Sequence, residues 1–177
     1  MALIRGGKLS RLASLSIRHW WALATAVALR LALHYLAGSN LLSHTTAMVL
    51  NLLSHGMLIL VCAANLENLP GFSWVLIGVF SNAWVIFVNG GRMPISPTAL
   101  ASVGLDKIPE YQLLAQGTSF THQLANRATR LAFLGDVIPV PLPFLQPVVV
   151  SPGDVAICLG GFILIQWLML CRQEKRN

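Results

Sequence analysis

The stretch Phe72-Ser73-Trp74-Val75-Leu76-Ile77-Gly78-Val79-Phe80-Ser81-Asn82-Ala83-Trp84-Val85-Ile86-Phe87-Val88 runs without a break into Asn89-Gly90-Gly91-Arg92-Met93-Pro94-Ile95-Ser96-Pro97. Its first part carries no charge and is about as long as a helix needs to cross the hydrocarbon core, roughly 17–25 residues. Its second part puts two glycines, a fixed cation and two prolines where the apolar run ends. The pair reads as a membrane helix and its exit into water, and the exit is the first place to look for a site.

Three more apolar runs flank it, at about 20–37, 45–64 and 154–170. Gly38, Ser39 and Asn40 separate the first two closely enough to make them antiparallel neighbours, and Pro70-Gly71 marks the turn into the third. Between Asn89 and Gly153 the pattern breaks for too long to be a plain connection. Within that loop, Ser119 to Leu134 reads as an amphipathic helix, with Phe120, Leu124, Leu131 and Leu134 at helical spacing and His122, Asn126 and Arg130 opposite. The alternating Pro139, Pro141 and Pro143 favour an extended path. The expected fold is an all-α integral membrane protein: a basic leader (1–19), then one membrane domain (20–177) of four transmembrane helices with a long outer loop (89–153) carrying one amphipathic helix.

Composition agrees. Of 177 residues 55% are hydrophobic and only 10% charged, against roughly 25% charged in soluble domains. The net charge of +6 sits mostly at the ends, in Arg5, Lys8, Arg11 and Arg18 and in Arg172, Lys175 and Arg176. That distribution places both termini in the cytoplasm and the Asn89 stretch outside; it offers no basic patch interleaved with aromatics for nucleic acid. Trp20 and Trp21 suit the inner interface. Cys62, Cys158 and Cys171 are far apart and read as small apolar side chains.

Polar residues inside the runs are the next signal, because at membrane depth they face the bundle interior or a wet cavity. His44, Asn51, His55 and Cys62 share a face of the second helix, and Gly78, Asn82 and Asn89 share one on the third. Asn51, His55 and Asn82 are expected to converge, either as interhelical hydrogen bonds of about 0.6 kcal/mol each or around a ligand. Arg30 lies one turn from His34 on the first helix, past its middle, where the guanidinium can reach the outer interface. With no Asp or Glu in the apolar cores, its counter-charge is expected from Asp136, Asp154 or an anionic ligand. Gly160-Gly161 allows close approach on the fourth helix.

Chemistry is less legible. Asp136 and His122 are weak candidates for acid and base, but there is no Gly-x-Ser-x-Gly elbow, His-Glu-x-x-His or phosphate-binding loop. Ser96, between two prolines, reads as a turn hydroxyl. His34 and His44 could offer two ring nitrogens to haem, but nothing else supports it. No cofactor and no metal are expected, and the reading leans away from an enzyme.

Asn89-Gly90-Gly91-Arg92-Met93-Pro94 after an apolar helix, then Phe133-Leu134-Gly135-Asp136-Val137-Ile138-Pro139, then a Gly-Asp turn into a last helix, resembles a family of small bacterial multi-pass membrane proteins catalogued as domain of unknown function 5317. The resemblance implies a bacterial inner-membrane setting and brings no activity. The function expected is binding of an anionic lipid head group or small ligand at the outer face, through Asn89, Gly90, Gly91, Arg92, Arg30 and Asp136. Polar His34, Asn51, His55 and Asn82 lie within the membrane. The alternatives are an accessory subunit of a larger membrane complex, with membrane-protein partners beside the lipids, and a membrane enzyme acting on a phosphorylated lipid.

Overall fold

The computed structural model describes residues 2–36, 41–107, 111 and 114–170. The turn expected at Gly38, Ser39 and Asn40, together with Cys171, Arg172, Lys175 and Arg176, lies outside them. The chain is mostly helical. Four long helices form a bundle: α1 (Trp20–Tyr35), α2 (His44–Asn65), α3 (Phe72–Val88) and, after a short α4 (Pro97–Ser102), α5 (Pro152–Leu170). Two of them, α2 and α5, are long and apolar enough to cross a membrane; α3 is apolar but has 17 residues, and α1 has 16 and carries Arg30.

Neighbours in sequence are neighbours in space: α1 packs on α2, α2 on α3 and α3 on α5, whereas among the described residues α1 and α5 are not a closely packed pair. The α3–α5 contact is the closest, and glycines at sevenfold spacing make it so. A Cβ on Gly71 would strike the Gly160 carbonyl, and one on Gly78 would strike that of Gly153. Small residues let helix backbones approach closely and gain dispersion contact.

The helix ends are closed by local chemistry. Ser43 caps α2 by accepting from Thr46 N at 3.1 Å. At the start of α5, Ser151 Oγ accepts from Asp154 N at 2.9 Å and Asp154 Oδ2 accepts from Ser151 N at 3.0 Å, a reciprocal capping box with Pro152 at the first helical position. This is why the helix begins two residues before the expected Asp154. α3 ends with Gly91 N donating to Ile86 O and Gly90 N to Phe87 O, both glycines at positive φ, the paired bonds of a Schellman cap.

Two asparagines at helix C-termini tie the rest of the chain to the bundle in the same way. Asn65 Nδ2 donates to Val61 O and to Arg18 O, and its Oδ1 accepts from Arg18 N at 2.9 Å. Asn89 Nδ2 donates to Val85 O and to Arg130 O, both at 2.8 Å, and its Oδ1 accepts from Arg130 N at 2.9 Å. The first clamp fixes the leader, the second the long loop. The leader also closes the end of α5, where Lys8 N and Arg11 Nη1 donate to Met169 O and the Arg11 charge complements the helix dipole. Asn89→Ala should lower unfolding stability by about 0.5–1.5 kcal/mol, because it removes the side-chain bonds that join Val85 to the Arg130 backbone; thermal melting of the variant reads this out.

The loop between α3 and α5 carries α4 and short strands instead of the one amphipathic helix expected, and the all-α description is corrected to mostly helical. Met93–Ile95 (β1) pairs in parallel with His122–Leu124 (β2), Met93 opposite His122. On the other side Asp136 bridges to Ile95. Ile138–Val140 (β3) pairs antiparallel with Val148–Val150 (β4), so the proline-rich stretch is one arm of a hairpin. The amphipathic helix expected over Ser119–Leu134 is replaced by β2, a turn and a single 3-10 turn at Ala132–Leu134. The reason is local: Asn126 Oδ1 accepts from Ala128 N, and Thr129 Oγ1 accepts from Asn126 N, each at 2.8 Å. Side chains that bond neighbouring amides in this way compete with the helix for them. Ser96 is the N-cap of α4, accepting from Ala99 N at 3.2 Å, which agrees with a turn hydroxyl. These elements form a cap over one end of the bundle.

Candidate functional site

Under the cap lies a polar cavity of 140 Å³. The helices supply Arg30, Asn51, His55, Asn82, Ile86 and Asp154; the cap supplies Met93, Thr121, His122, Asp136 and Val149. Asn51, His55, Asn82 and Asp136 are all buried, whereas Arg30 keeps an exposed flank and stands at the mouth.

Arg30 lies at the edge of the α1 stripe that faces α2, whose buried members are Ala22, Ala26 and Leu33. Instead of reaching for an outer interface, its Nη1 donates to His55 Nε2 at 3.2 Å. His55 Nδ1 lies 2.8 Å from the Asn51 carbonyl one turn earlier, which can only accept. Nδ1 is therefore the ring's donor and Nε2 its acceptor for Arg30, the tautomer this network requires.

Asn51 and Asn82 hold the two sides of the floor. Asn51 Nδ2 donates to Gly91 O at 2.8 Å, joining α2 to the cap of α3. Its Oδ1, on a residue 1% exposed, has no protein partner. Asn82 Nδ2 donates to Asp154 Oδ1 at 2.8 Å and its Oδ1 accepts from Ser151 Oγ at 2.9 Å. Both oxygens of Asp154 are thus engaged, one by Asn82 and one by the Ser151 amide.

The cap brings His122 and Asp136 together because β2 and Asp136 flank β1 on opposite sides. His122 Nε2 lies 3.5 Å from Asp136 Oδ2, and its Nδ1 lies 2.9 Å from Thr121 Oγ1. Burial pushes the Asp136 carboxyl up to about 7; Asp154 pushes the same way and Arg30 opposes it. Burial pushes His122 down to about 4, reinforced by the charge of Arg30, although the ring retains 38% of its side-chain surface. Both directions favour a proton on the carboxyl rather than on the ring, and Asp136 is the cavity's carboxyl that burial holds near neutrality.

The other residues singled out in the sequence lie elsewhere. Asn89 is spent on its clamp, and the amides of Gly90 and Gly91 are spent on the helix cap, so the anion-binding backbone expected there has no donors to offer. Gly91 also packs against Met48. Arg92 does not line the cavity; its Nη1 donates to Gly117 O at 3.2 Å. His34 is exposed on α1 beside Tyr35, and the His44 ring meets Phe120 edge-on. Among the described residues no group of three or more His, Cys, Asp or Glu side chains is placed to hold a metal ion. The sequence marks Ser151 only as part of the turn before the last helix and does not mark Thr121. The Ser-x-x-Asp spacing at 151–154 is the signal that could have found Ser151; Thr121 carried none.

Fold and cavity together define a helical-bundle protein with a polar pocket closed at one end by a small β-containing cap. The chain belongs to the family of unknown function DUF5317, which matches residues 14–166. It is 34% identical over 97 residues to an uncharacterized protein of Thermotoga maritima, covering 55% of this chain and 51% of that one. The chain thus spans about half the length of that relative. No solved structure matches. The two stretches that carry the family resemblance, Asn89–Pro94 and Leu134–Pro139, lie side by side: Asp136 N donates to Pro94 O at 2.9 Å, and a Cβ on Gly135 would strike that same carbonyl.

Proposed function

We propose that the protein is a multi-pass component of the bacterial inner membrane, with both termini cytoplasmic, that binds a small anionic group in the cavity under the cap. Large apolar side chains on α3 turn outward, Ile77, Phe80 and Phe87 each more than half exposed. Such a face suits lipid rather than water. The leader meets the far end of α5 and the cap covers the other end, which supports an inner leader and an outer cap under the positive-inside rule. Thiol labelling of Lys107→Cys from outside intact cells tests this; labelling only from the cytoplasmic side would contradict it.

The observation that carries the binding role is Arg30 at the mouth of a cavity whose floor holds the unpaired Asn51 Oδ1. A buried acceptor without a donor costs about 1–3 kcal/mol, so the site favours a guest with a hydroxyl or amine for Asn51 and a negative charge for Arg30. The Asp136 carboxyl, neutral below about pH 7, can donate to the same anion. Native mass spectrometry of the protein in mild detergent tests the reading. A bound anionic species is expected on the wild type and missing from Arg30→Gln; an identical adduct pattern on both proteins, or none on either, would contradict it.

A further inference from the structure

The cavity is bounded by the cap and by residues of all four long helices. The cap closes the outer end with Met93, Thr121 and Asp136, α2 and α3 pack against each other behind it, and the leader binds α5 at the far end through Arg11. The remaining side lies between α1 and α5, which are not among the closely packed helix pairs of the described residues. Arg30 of α1 and Asp154 of α5 both line the cavity, and Arg30 is exposed. Val27, one turn before Arg30, and Val155, next to Asp154, are exposed apolar residues.

We propose that the slot between α1 and α5 admits the head group of an anionic amphiphile directly from the bilayer, its alkyl chain staying in the lipid between Val27 and Val155. This rests on the binding role proposed above and names its ligand class. Arg30 supplies the positive charge that selects the head group, while the Asp154 carboxylate of α5 has both oxygens engaged by Asn82 Nδ2 and the Ser151 amide. A 140 Å³ cavity takes a head group but no chain. A charged arginine in an apolar surrounding is costly alone, and an anionic head group at the slot offsets that cost.

The test uses full-length protein in phosphatidylcholine nanodiscs at pH 6, with dodecyl phosphate bearing a photoreactive diazirine in its chain and with ethyl phosphate as the chainless probe. Dodecyl phosphate is expected to cross-link to peptides of α1 and α5, to lose at least tenfold in yield in Arg30→Gln, and to bind far more tightly than ethyl phosphate. A bulky Val27→Trp is expected to weaken dodecyl phosphate binding and leave ethyl phosphate unchanged, with the melting temperature confirming that both variants fold. Arg30-dependent binding of both probes with equal affinity would overturn the slot and leave the anion site standing. Cross-links confined to the apolar groove of Ile59, Phe80 and Trp84 on α2 and α3, unaffected by Arg30→Gln, would overturn the slot as ordinary lipid contact. Failure of both probes to bind would overturn the anion site and the slot with it.

Discussion

Gly160→Leu is expected to leave almost no folded protein, while Gly161→Leu, one residue further on, is expected to melt within about 0.5 kcal/mol of the wild type. A Cβ at Gly160 would strike the Gly71 carbonyl and the Val75 side chain, whereas one at Gly161 meets nothing within 4 Å. Backbone cannot yield as a side-chain tip does, so α3 and α5 must separate. Two things are then lost: the dispersion contact of the closest helix pair, and the Asn82–Ser151–Asp154 bonds that form one wall of the cavity. The cost should exceed about 4 kcal/mol, in the range reserved for failures of core packing. Size-exclusion profiles and thermal melts of the two variants in the same detergent separate them, and equal behaviour would mean that the glycine contact does not hold the bundle together.

The second large effect concerns protons. Asp136 is held up at about 7 mainly by burial and then by Asp154. Its folded pKa is above the unfolded value, so its contribution to stability is complete below the unfolded pKa and is lost as pH rises through about 7. Anion binding follows the same sign, because below that point the carboxyl is neutral and can donate, while above it a second negative charge faces the guest. Ethanesulfonate, whose single charge stays fixed across the neutral range, should therefore bind best under mildly acid conditions. Its affinity should fall by up to about tenfold per pH unit above 7, the limit for one coupled proton. In Asp136→Asn the fall should disappear and the melting temperature at pH 8 should rise. Calorimetric titration at several pH values measures both; a wild-type affinity that is flat from pH 5 to about 9 would rule out Asp136 as the controlling charge.

Helix positions were the most legible part of the chain, because uncharged runs leave few alternatives. α3 has the bounds read from its sequence, and α5 differs only by the capping box that starts it early. The helical spacing of Asn51 and His55 is also what brings both to the same cavity. Gly160 and Gly161 were indistinguishable in sequence, since only the partner helix decides which of them is crowded. The cap was least legible. Its strands are three residues long and two of them pair across some thirty residues, so no local periodicity announces them. The side-chain bonds of Asn126 and Thr129 reversed what the spacing of Phe120, Leu124 and Leu131 suggested. Arg92 drew attention as a cation in a glycine- and proline-rich exit, but its neighbours turn it toward the Gly117 carbonyl. Arg30 was conspicuous as a charge in an apolar helix, and the structure adds what sequence could not: that its guanidinium meets His55 at the cavity mouth.

The distinction between these two arginines is also the most direct test of the binding role. Dodecyl phosphate titrated at pH 6 into wild type, Arg30→Gln and Arg92→Gln, all checked for an unchanged melt, should bind wild type and Arg92→Gln alike. Arg30→Gln should lose roughly tenfold or more, the scale of about 1.4 kcal/mol and upward for removing one partner of a charge pair at a partly exposed mouth. Arg30→Gln binding as tightly as wild type, or Arg92→Gln losing affinity in its place, would contradict the assignment of the site to the cavity under the cap.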